Sequence, residues 1–442
     1  MKIVNAWICQ VNLNENKIIP VFGDIEIEKG KIKSISKRKF DLRSMSADND
    51  KGTINAEGRV LTVPNVNYHD HIYSRLAKGL DIKGDMSNFP NILKNLWWKL
   101  DFMLDRDMIK ASAEMAAMES IKNGVTYIFD HHSSPNFSLG SLKLIRDTLD
   151  EFNLRSVLCF ETTDRNGREL KEEGIKENIS YYKNFVNDNH KAPFGLHASF
   201  TLDDETLQHV YEFVDKNDLG IHVHLCEDIS DNEISIRKYT DRSLKRFIDH
   251  HLLNDESIVA HAIHLQDEEF ILIKNTGASV VFNLDSNMNN SVGLQRYASF
   301  PSDIPILIGT DGMHSNYARS LKELFLQTRH SGFSFDEAFK LIKKSFFDQQ
   351  KFIKKYFRDF TKLTLNDRAD FVIWDYVPPT PFSEDNYWGH YIYGFLERPV
   401  KYVIQNGDIL LNDFKITGFD EHSININILK EGTRLNKKFN EE

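Results

Sequence analysis

The chain has 442 residues, more than a simple hydrophobic core usually contains, so we expect one large domain and a smaller one. Its composition, 41% hydrophobic and 27% charged residues, is typical of globular proteins. A formal net charge of −10 argues against nucleic-acid binding, and no apolar run is long enough to span a membrane. The three cysteines lack C-x-x-C spacing, which favours a reducing compartment, and we expect a cytoplasmic protein.

The two ends of the chain both have the alternating pattern of β-strands. Residues 1–62 include IIPVFGDIEIEKGKIKSIS, which predicts a hairpin with its turn at E-K-G-K. Residues 367–442 return to strand-like runs, ADFVIWDY and KYVIQNGDILL, before a last segment, EGTRLNKKFNEE, that is typical of a solvated tail. We therefore expect residues 1–62 and 367–442 to form a small composite β-sandwich built from both termini.

Between them, residues 63–366 alternate strand-like and helical patterns. The helical pattern is clearest in MIKASAEMAAMESIKNG, where apolar residues recur every three or four positions and Gly124 is a plausible end. Such alternation predicts an α/β fold, a (β/α)₈ TIM barrel, whose active site lies at the C-terminal ends of its strands. The eight predicted strands are LTVPNV, VTYIFD, LRSVLCF, APFGLH, GIHVHL, SIVAHA, ASVVFN and IPILIG.

Histidines at the ends of these runs predict a metal site. His69 and His71 form an H-x-H pair directly after the first run, and residues two apart on a strand point to the same side. In HVHLCE, His224 is nearer the strand end than His222, so His224 is the predicted third ligand and His222 a supporting residue. Asp311 ends the apolar run ILIGTDG, where a buried carboxylate is costly unless it is paired or bound to a metal.

Two further residues have the chemistry of proton transfer. Glu227 follows His224 by three residues, and a carboxylate beside a metal-activated water can shuttle protons. In AHAIH, His261 rather than His264 is predicted to face the site, where it could hold or polarise the attacking water. Asp311 could serve both as a ligand and as the proton acceptor.

Three histidines and one carboxylate are a donor set that suits one divalent metal ion, with Zn²⁺ favoured and Fe²⁺ the alternative. No lysine is placed to bridge two metals at the fourth strand, so His197 there is predicted to contact substrate. Trp97, in NLWWKLD, either covers an aromatic substrate or packs in the core, and the sequence favours neither reading.

The order H-x-H, H-x-x-E, H-x-x-H and GTDG resembles the amidohydrolase superfamily, in its branch of mononuclear aminohydrolases and chlorohydrolases that includes guanine deaminase. The segments NGVTYIFDHHSSPNFSLGSL, DSNMNNSVG and DYVPPTPFSEDNYWGH are similar to SsnA-type aminohydrolases. The resemblance implies hydrolytic loss of ammonia from a small heterocycle by a homodimeric enzyme. It assigns His69, His71, His224 and Asp311 as metal ligands, Glu227, His261 and Asp311 as catalytic residues, and His131 or His132 as pocket residues.

The chain departs from that family at its seventh strand. Phe282 and Leu284 in FNLDSN stand where the family has His and Pro, which affects the expected substrate pocket more than the metal. The main hypothesis is an aminohydrolase acting on a purine, pyrimidine or triazine. The alternatives are a chlorohydrolase or cyclic-amide hydrolase using the same site, or a metal-binding subunit without activity.

Overall fold

The computed structural model describes residues 1–41 and 52–441. Its strands, in chain order, are β1 (Lys2–Asn12), β2 (Lys17–Glu28), β3 (Lys31–Lys37), β4 (Thr53–Asn55), β5 (Val60–Thr62), β6 (Asn65–Asp70), β7 (Val125–His132), β8 (Arg155–Phe160), β9 (His190–Lys191), β10 (Phe194–Ala198), β11 (Ile221–Leu225), β12 (Ile258–His261), β13 (Ser279–Phe282), β14 (Ile306–Ile308), β15 (Phe371–Trp374), β16 (Val400–Gln405), β17 (Asp408–Asn412) and β18 (Lys415–Ile416).

Most of the helices connect these strands. They are α1 (Phe89–Ile92), α2 (Trp98–Met103), α3 (Arg106–Lys122), α4 (Ser141–Glu151), α5 (Arg168–Phe185), α6 (Asp204–Asn217), α7 (Ile229–Tyr239), α8 (Ser243–Asp249), α9 (Asp267–Thr276), α10 (Leu284–Asn289), α11 (Tyr317–His330), α12 (Phe335–Tyr356), α13 (Tyr387–Tyr393) and α14 (Glu421–Glu441). A π-helical turn, Leu93–Trp97, joins α1 to α2. Within the described ranges, no helix combines the length and apolar character that a membrane crossing requires.

The two ends of the chain share one nine-stranded sheet, in the order β18-β17-β16-β15-β5-β1-β2-β3 with β4 beside β1. The predicted hairpin is confirmed as β2 and β3, which pair antiparallel. Strands β5 and β15 join the two halves of the sheet, and Trp374 Nε1 donates a hydrogen bond to Thr62 Oγ1 at 2.9 Å across that junction. The termini therefore build a common sheet, as expected, while its folding into a sandwich stays a prediction.

Seven of the eight predicted central strands form as single strands, and the central strands pair in parallel. The eighth, LTVPNV, is divided at Pro64: Leu61 and Thr62 belong to β5 in the terminal sheet, and Asn65 begins β6. One sheet has the order β6-β7-β8-β9 and the other β10-β11-β12-β13-β14. Isolated parallel bridges link the two sheets, Thr162 with Leu196 at one side and Asp70 with Asp311 at the other. Every residue of these strands except Lys191 is buried, which is typical of parallel strands covered by helices on both faces. The fold is thus mixed α/β, with the C-terminal strand ends gathered at one end of the domain.

Helix α3 shows how local sequence sets an element. The Asp105 side chain accepts hydrogen bonds from the backbone N–H groups of Asp107 and Met108, which caps the N-terminus. Gly124 follows the C-terminus with φ +68°, and a Cβ there would lie 3.0 Å from Val372 and Val400, so glycine suits both the turn and the close packing.

The C-terminal segment is helical, and its prediction as a solvated tail was wrong. Helix α14 packs against α3, and its Leu435 and Phe439 side chains are buried. Lys99 Nζ donates a 2.8 Å hydrogen bond to the Phe439 carbonyl and lies over the ring. The buried residues of this helix are Glu431, Leu435 and Phe439, at a spacing of four. One of these three is charged, so the sequence pattern shows little of the buried face.

Candidate metal centre and active site

The H-x-H pair lies at the C-terminal end of β6, and both imidazole rings are held at Nδ1. His69 Nδ1 is hydrogen-bonded to His222 Nε2 at 2.8 Å, and His71 Nδ1 donates to the His131 carbonyl at 2.6 Å. His69 is completely buried, yet among the described residues its Nε2 has no hydrogen-bond partner. A buried ring nitrogen is seldom left unpaired, so this atom is available for a ligand.

His224 and Asp311 converge on the same point. His224 Nδ1 donates to the His197 carbonyl at 2.9 Å, and its Nε2 lies 3.2 Å from His71 Nε2. Asp311 Oδ1 lies 3.0 Å from His71 Nε2 and 3.6 Å from His69 Nε2. Three imidazole nitrogens and a carboxylate oxygen thus meet in one buried place, and each imidazole is oriented by a bond from its other nitrogen, as in protein metal sites.

Two of the predicted proton-transfer residues stand beside this cluster. His261 Nε2 lies 3.3 Å from Glu227 Oε2 and 3.7 Å from Asp311 Oδ2. Its Nδ1 donates to Asn287 Oδ1 at 2.8 Å, which directs Nε2 at the two carboxylates. Asn290 Nδ2 donates to Glu227 Oε1 at 3.4 Å. The structure therefore brings Glu227, His261 and Asp311 together.

Burial and neighbouring charge separate the pKa values of the two carboxyl groups. Burial raises the pKa of Glu227 well above its usual range, and the negative charge of Asp311 raises it further. Burial would also raise the pKa of Asp311, but the His69 and His71 rings beside it hold that pKa well below its usual range. Two neighbouring carboxyl groups whose pKa values are shifted in opposite directions are suited to general acid–base chemistry.

Three strand ends that carry these groups have left-handed backbone at residues other than glycine. The φ angles are +50° at Cys226, +72° at His261, +53° at Ala262 and +55° at Asp311. This conformation is uncommon for side-chain-bearing residues and clusters at functional sites. Gly309 assists at the last strand, because a Cβ there would lie 2.4 Å from Asn283 Oδ1 and 2.7 Å from the His69 Cβ.

The cluster opens into a cleft with about 580 Å³ of free space, part of it continuous with solvent. Trp97 and His197 line it, whereas His131 does not. The His131 ring lies behind the cleft wall, with Nδ1 3.1 Å from Glu161 Oε1 and Nε2 3.1 Å from the carbonyls of Leu196 and His222. The remaining apolar lining comes from Phe89, Leu93, Trp98, Ala198 and Phe200.

A second set of charged residues lines the cleft and was missed by the sequence interpretation. Glu161 directly follows β8, and Arg165 lies four residues later. Asp101, in α2, lines the same cleft. Arg165 Nη2 donates to Asp101 Oδ2 at 2.5 Å. Burial raises the pKa of Asp101 to about 7. A signal was present in the sequence, because Glu161 ends an apolar run, LRSVLCFE, just as Asp311 ends ILIGTD.

Asp231 was also missed, and it supports the loop that carries Glu227. Its Oδ2 accepts a 3.0 Å hydrogen bond from the Glu227 backbone N–H. Its Oδ1 is buried with no hydrogen-bond partner in the described parts of the chain. Burial raises the pKa of Asp231 to about 8, so this carboxyl group is largely protonated at neutral pH.

Comparison with known proteins agrees with this geometry. The amidohydrolase family profile matches residues 65–345. A 5′-deoxyadenosine deaminase of Methanococcus aeolicus is 26% identical over 421 residues, covering 93% of this chain and 95% of that protein. A 5-methylthioadenosine/S-adenosylhomocysteine deaminase of Clostridium tetani is 24% identical over 438 residues, covering 96% and 97%.

Solved structures agree in fold. The crystal structure of an adenosine deaminase from Xanthomonas campestris with bound zinc superposes with a TM-score of 0.80 at 16% identity, covering 99% of this chain and 98% of that one. The profile spans well over half of the chain and includes His69, His71, His224 and Asp311, and the resemblance noted in the sequence is thereby confirmed. The protein belongs to the amidohydrolase family.

Proposed function

We propose that this protein is a zinc-dependent aminohydrolase that removes the amino group from a purine base or purine nucleoside. The observation that carries the proposal is the buried cluster around His71, whose Nε2 lies 3.2 Å from His224 Nε2 and 3.0 Å from Asp311 Oδ1. His69 Nε2 lies 3.6 Å from the same Asp311 oxygen. Relatives named as deaminases of adenosine derivatives support the choice of a purine over the pyrimidine and triazine alternatives.

The chain's own donor atoms fit one divalent ion. His69 Nε2 is buried and unpartnered among the described residues, and the Nε2 atoms of His71 and His224 face the same point. Three imidazole nitrogens with one carboxylate favour Zn²⁺, with Fe²⁺ as the alternative. When bound, such an ion supplies a Lewis acid that makes a proton of water easier to remove at neutral pH.

The remaining residues are arranged to move protons. Ionised Asp311 accepts a proton from the attacking water, and His261 holds that water through Nε2. Glu227, whose raised pKa keeps it protonated, donates to the ring nitrogen next to the carbon under attack. Glu227 as the acid and Asp311 as the base both lie beside the His261 ring, so the two proton transfers require no movement of the backbone.

The cleft lining suits a flat ring. Trp97, Trp98 and Phe200 supply aromatic surface, and His197 is placed as a polar contact for the substrate. His131 takes no part in substrate contact in this proposal, because it bonds Glu161 and supports His71 through its carbonyl.

We also infer the architecture around the site. The bridges Thr162–Leu196 and Asp70–Asp311 support a closed (β/α)₈ barrel made of β6, β7, β8 and β10–β14. The barrel then corresponds to residues 63–366, and residues 1–62 with 367–442 form the second domain. A cytoplasmic location and a homodimer stay predictions.

Ammonia release is the direct test. Zinc-loaded protein is incubated with adenosine, 5′-deoxyadenosine, adenine, guanine, cytosine and an amino-triazine, with a chlorotriazine added to detect chloride release. We expect ammonia from at least one purine and none after chelation and dialysis. Turnover only of the chlorotriazine, or activity that survives metal removal, would contradict the proposal.

A further inference from the structure

The side of the cleft formed by Glu161, Arg165 and Asp101 has hydrogen-bonding atoms that the proposed chemistry does not use. Arg165 Nη2 is bonded to Asp101, but its Nε and Nη1 are buried with no hydrogen-bond partner among the described residues. The Arg165 side chain is only 9% exposed, and its guanidinium lies 5.2 Å from the Trp98 ring centroid. Leaving buried guanidinium donors unpaired is costly, so these donors point to a bound group.

Acceptors stand next to those donors. Glu161 Oε1 is bonded to His131, while Glu161 Oε2 lies 3.9 Å from Arg165 Nη1 and 4.0 Å from His197 Nε2, too far for a hydrogen bond to either. Asp101 Oδ1 is likewise buried and without a partner in the part of the chain described. Unpaired donors and acceptors therefore lie side by side on one wall.

The charge of this wall decides the kind of group it takes. One guanidinium is flanked by two carboxyl groups, so the wall has no net positive charge to attract a carboxylate or phosphate. An apolar group would leave the Arg165 and Asp101 atoms unpaired. An uncharged group that accepts a hydrogen bond from Arg165 and donates one to Glu161 would pair both side chains.

We propose that Glu161 and Arg165 form a specificity-determining subsite for an uncharged substrate group that presents a hydrogen-bond acceptor beside a donor. This inference rests on the proposed function, because the group bound here is the part of the same substrate that lies away from the reacting carbon. Two sources offer this chemistry: the adjacent hydroxyls of a nucleoside sugar, and the C=O/N–H edge of a free oxopurine.

The test measures binding separately from turnover. Purine riboside has no amino group to lose, so it releases no ammonia, and its affinity for the full-length zinc-loaded protein can be measured by calorimetry without turnover. Arg165→Met and Glu161→Gln are compared with Arg237→Met and Glu205→Gln, which change exposed residues outside the cleft. Hypoxanthine and the 2′,3′-dideoxy form of purine riboside are titrated in parallel.

We expect Arg165→Met to weaken binding by about 10- to 100-fold and Glu161→Gln by about 5- to 10-fold, with both controls unchanged. If a sugar occupies the subsite, the dideoxy compound should bind wild type weakly, and its affinity should be the same for wild type and Arg165→Met. A ring edge there predicts that hypoxanthine keeps the full sensitivity to Arg165→Met.

The inference is overturned if wild type binds neither purine riboside nor hypoxanthine, or if folded, zinc-containing Arg165→Met and Glu161→Gln bind as wild type does. Failure of the proposed function looks different: ammonia is released from no substrate, while binding still depends on Arg165. A 5′-phosphate or carboxylate that strengthens binding through Arg165 would also contradict the subsite, because it is built to reject anions.

Discussion

The two sides of the cleft differ in how completely their polar atoms are bonded. On the metal side, the Nδ1 atoms of His69, His71 and His224 are each held by another group of the protein, which orients the three rings. On the wall formed by Glu161, Arg165 and Asp101, two Arg165 nitrogens have no hydrogen-bond partner among the described residues. The groups proposed for catalysis are therefore oriented by the protein before a ligand binds. The groups proposed for recognition, in contrast, gain their remaining hydrogen bonds only when the ligand binds.

The largest effect should follow from a change on the metal side, at Asp311. Asp311→Asn removes both an anionic ligand and the proton acceptor, so we expect kcat to fall by about 10⁴-fold or more and zinc to be retained less well. Steady-state ammonia release and metal analysis after dialysis measure the two losses. Asp385→Asn, at an exposed position, is the matched control. Normal turnover in Asp311→Asn would remove this residue from the proposed mechanism.

Glu227 separates chemistry from metal binding on the same side. Glu227→Gln keeps the shape of the side chain but has no proton to donate, so kcat should fall by about 10²–10⁴-fold. Zinc content should stay at the wild-type level, because Glu227 is not among the proposed ligands. A variant that turns over at the wild-type rate, or that loses its zinc, would contradict this division of roles.

A smaller effect is expected behind the metal cluster. His222→Ala removes the hydrogen bond that orients His69 through Nδ1. Orienting bonds of this type are worth about 10- to 100-fold in metal affinity, which competition with a chelator measures. The exposed His209→Ala is the control. Equal affinities in His222→Ala and wild type would mean that His69 needs no such support.

The smallest effect is on stability, and it depends on pH. Burial raises the pKa of Asp231 to about 8, whereas an aspartate in the unfolded chain has a pKa of about 3.9. Between these values the unfolded chain releases a proton that the folded chain keeps. The free energy of unfolding of wild type should therefore fall as pH rises through this window.

Asp231→Asn keeps the acceptor for the Glu227 N–H and is neutral at every pH. It should lose that part of the pH dependence and exceed wild type in stability at pH 8 by about 1–3 kcal/mol. Urea unfolding of both proteins at pH 5 and pH 8 measures the difference. Parallel changes in the two proteins would show that Asp231 is ionised in the folded state.

Much of the fold was readable from the sequence because its signals are local. Seven of the eight apolar runs form single strands, the E-K-G-K turn closes the β2–β3 hairpin, and Gly124 follows helix α3. Helix α14 was missed because its buried face is narrow and the surrounding residues are charged, so only packing on α3 makes it a stable element.

The candidate site divides in the same way. H-x-H, H-x-x-E and GTDG each place chemistry at a strand end, and they were enough to name the ligands and proton-transfer residues that the structure brings together. His131 illustrates the limit of such reasoning. The family resemblance implied that His131 or His132 is a pocket residue, but the His131 ring lies behind the wall, bonded to Glu161 and two backbone carbonyls.

The sequence by itself determined which residue types stand at the ends of buried strands, because alternation and apolar runs are local properties of the chain. Only the tertiary structure decided which of them share a wall. Asp101, in α2, and Arg165, after the end of β8, are 64 positions apart in the chain and are joined by a hydrogen bond. Contacts of that kind depend on how whole elements pack, and nothing in either segment alone encodes the partner.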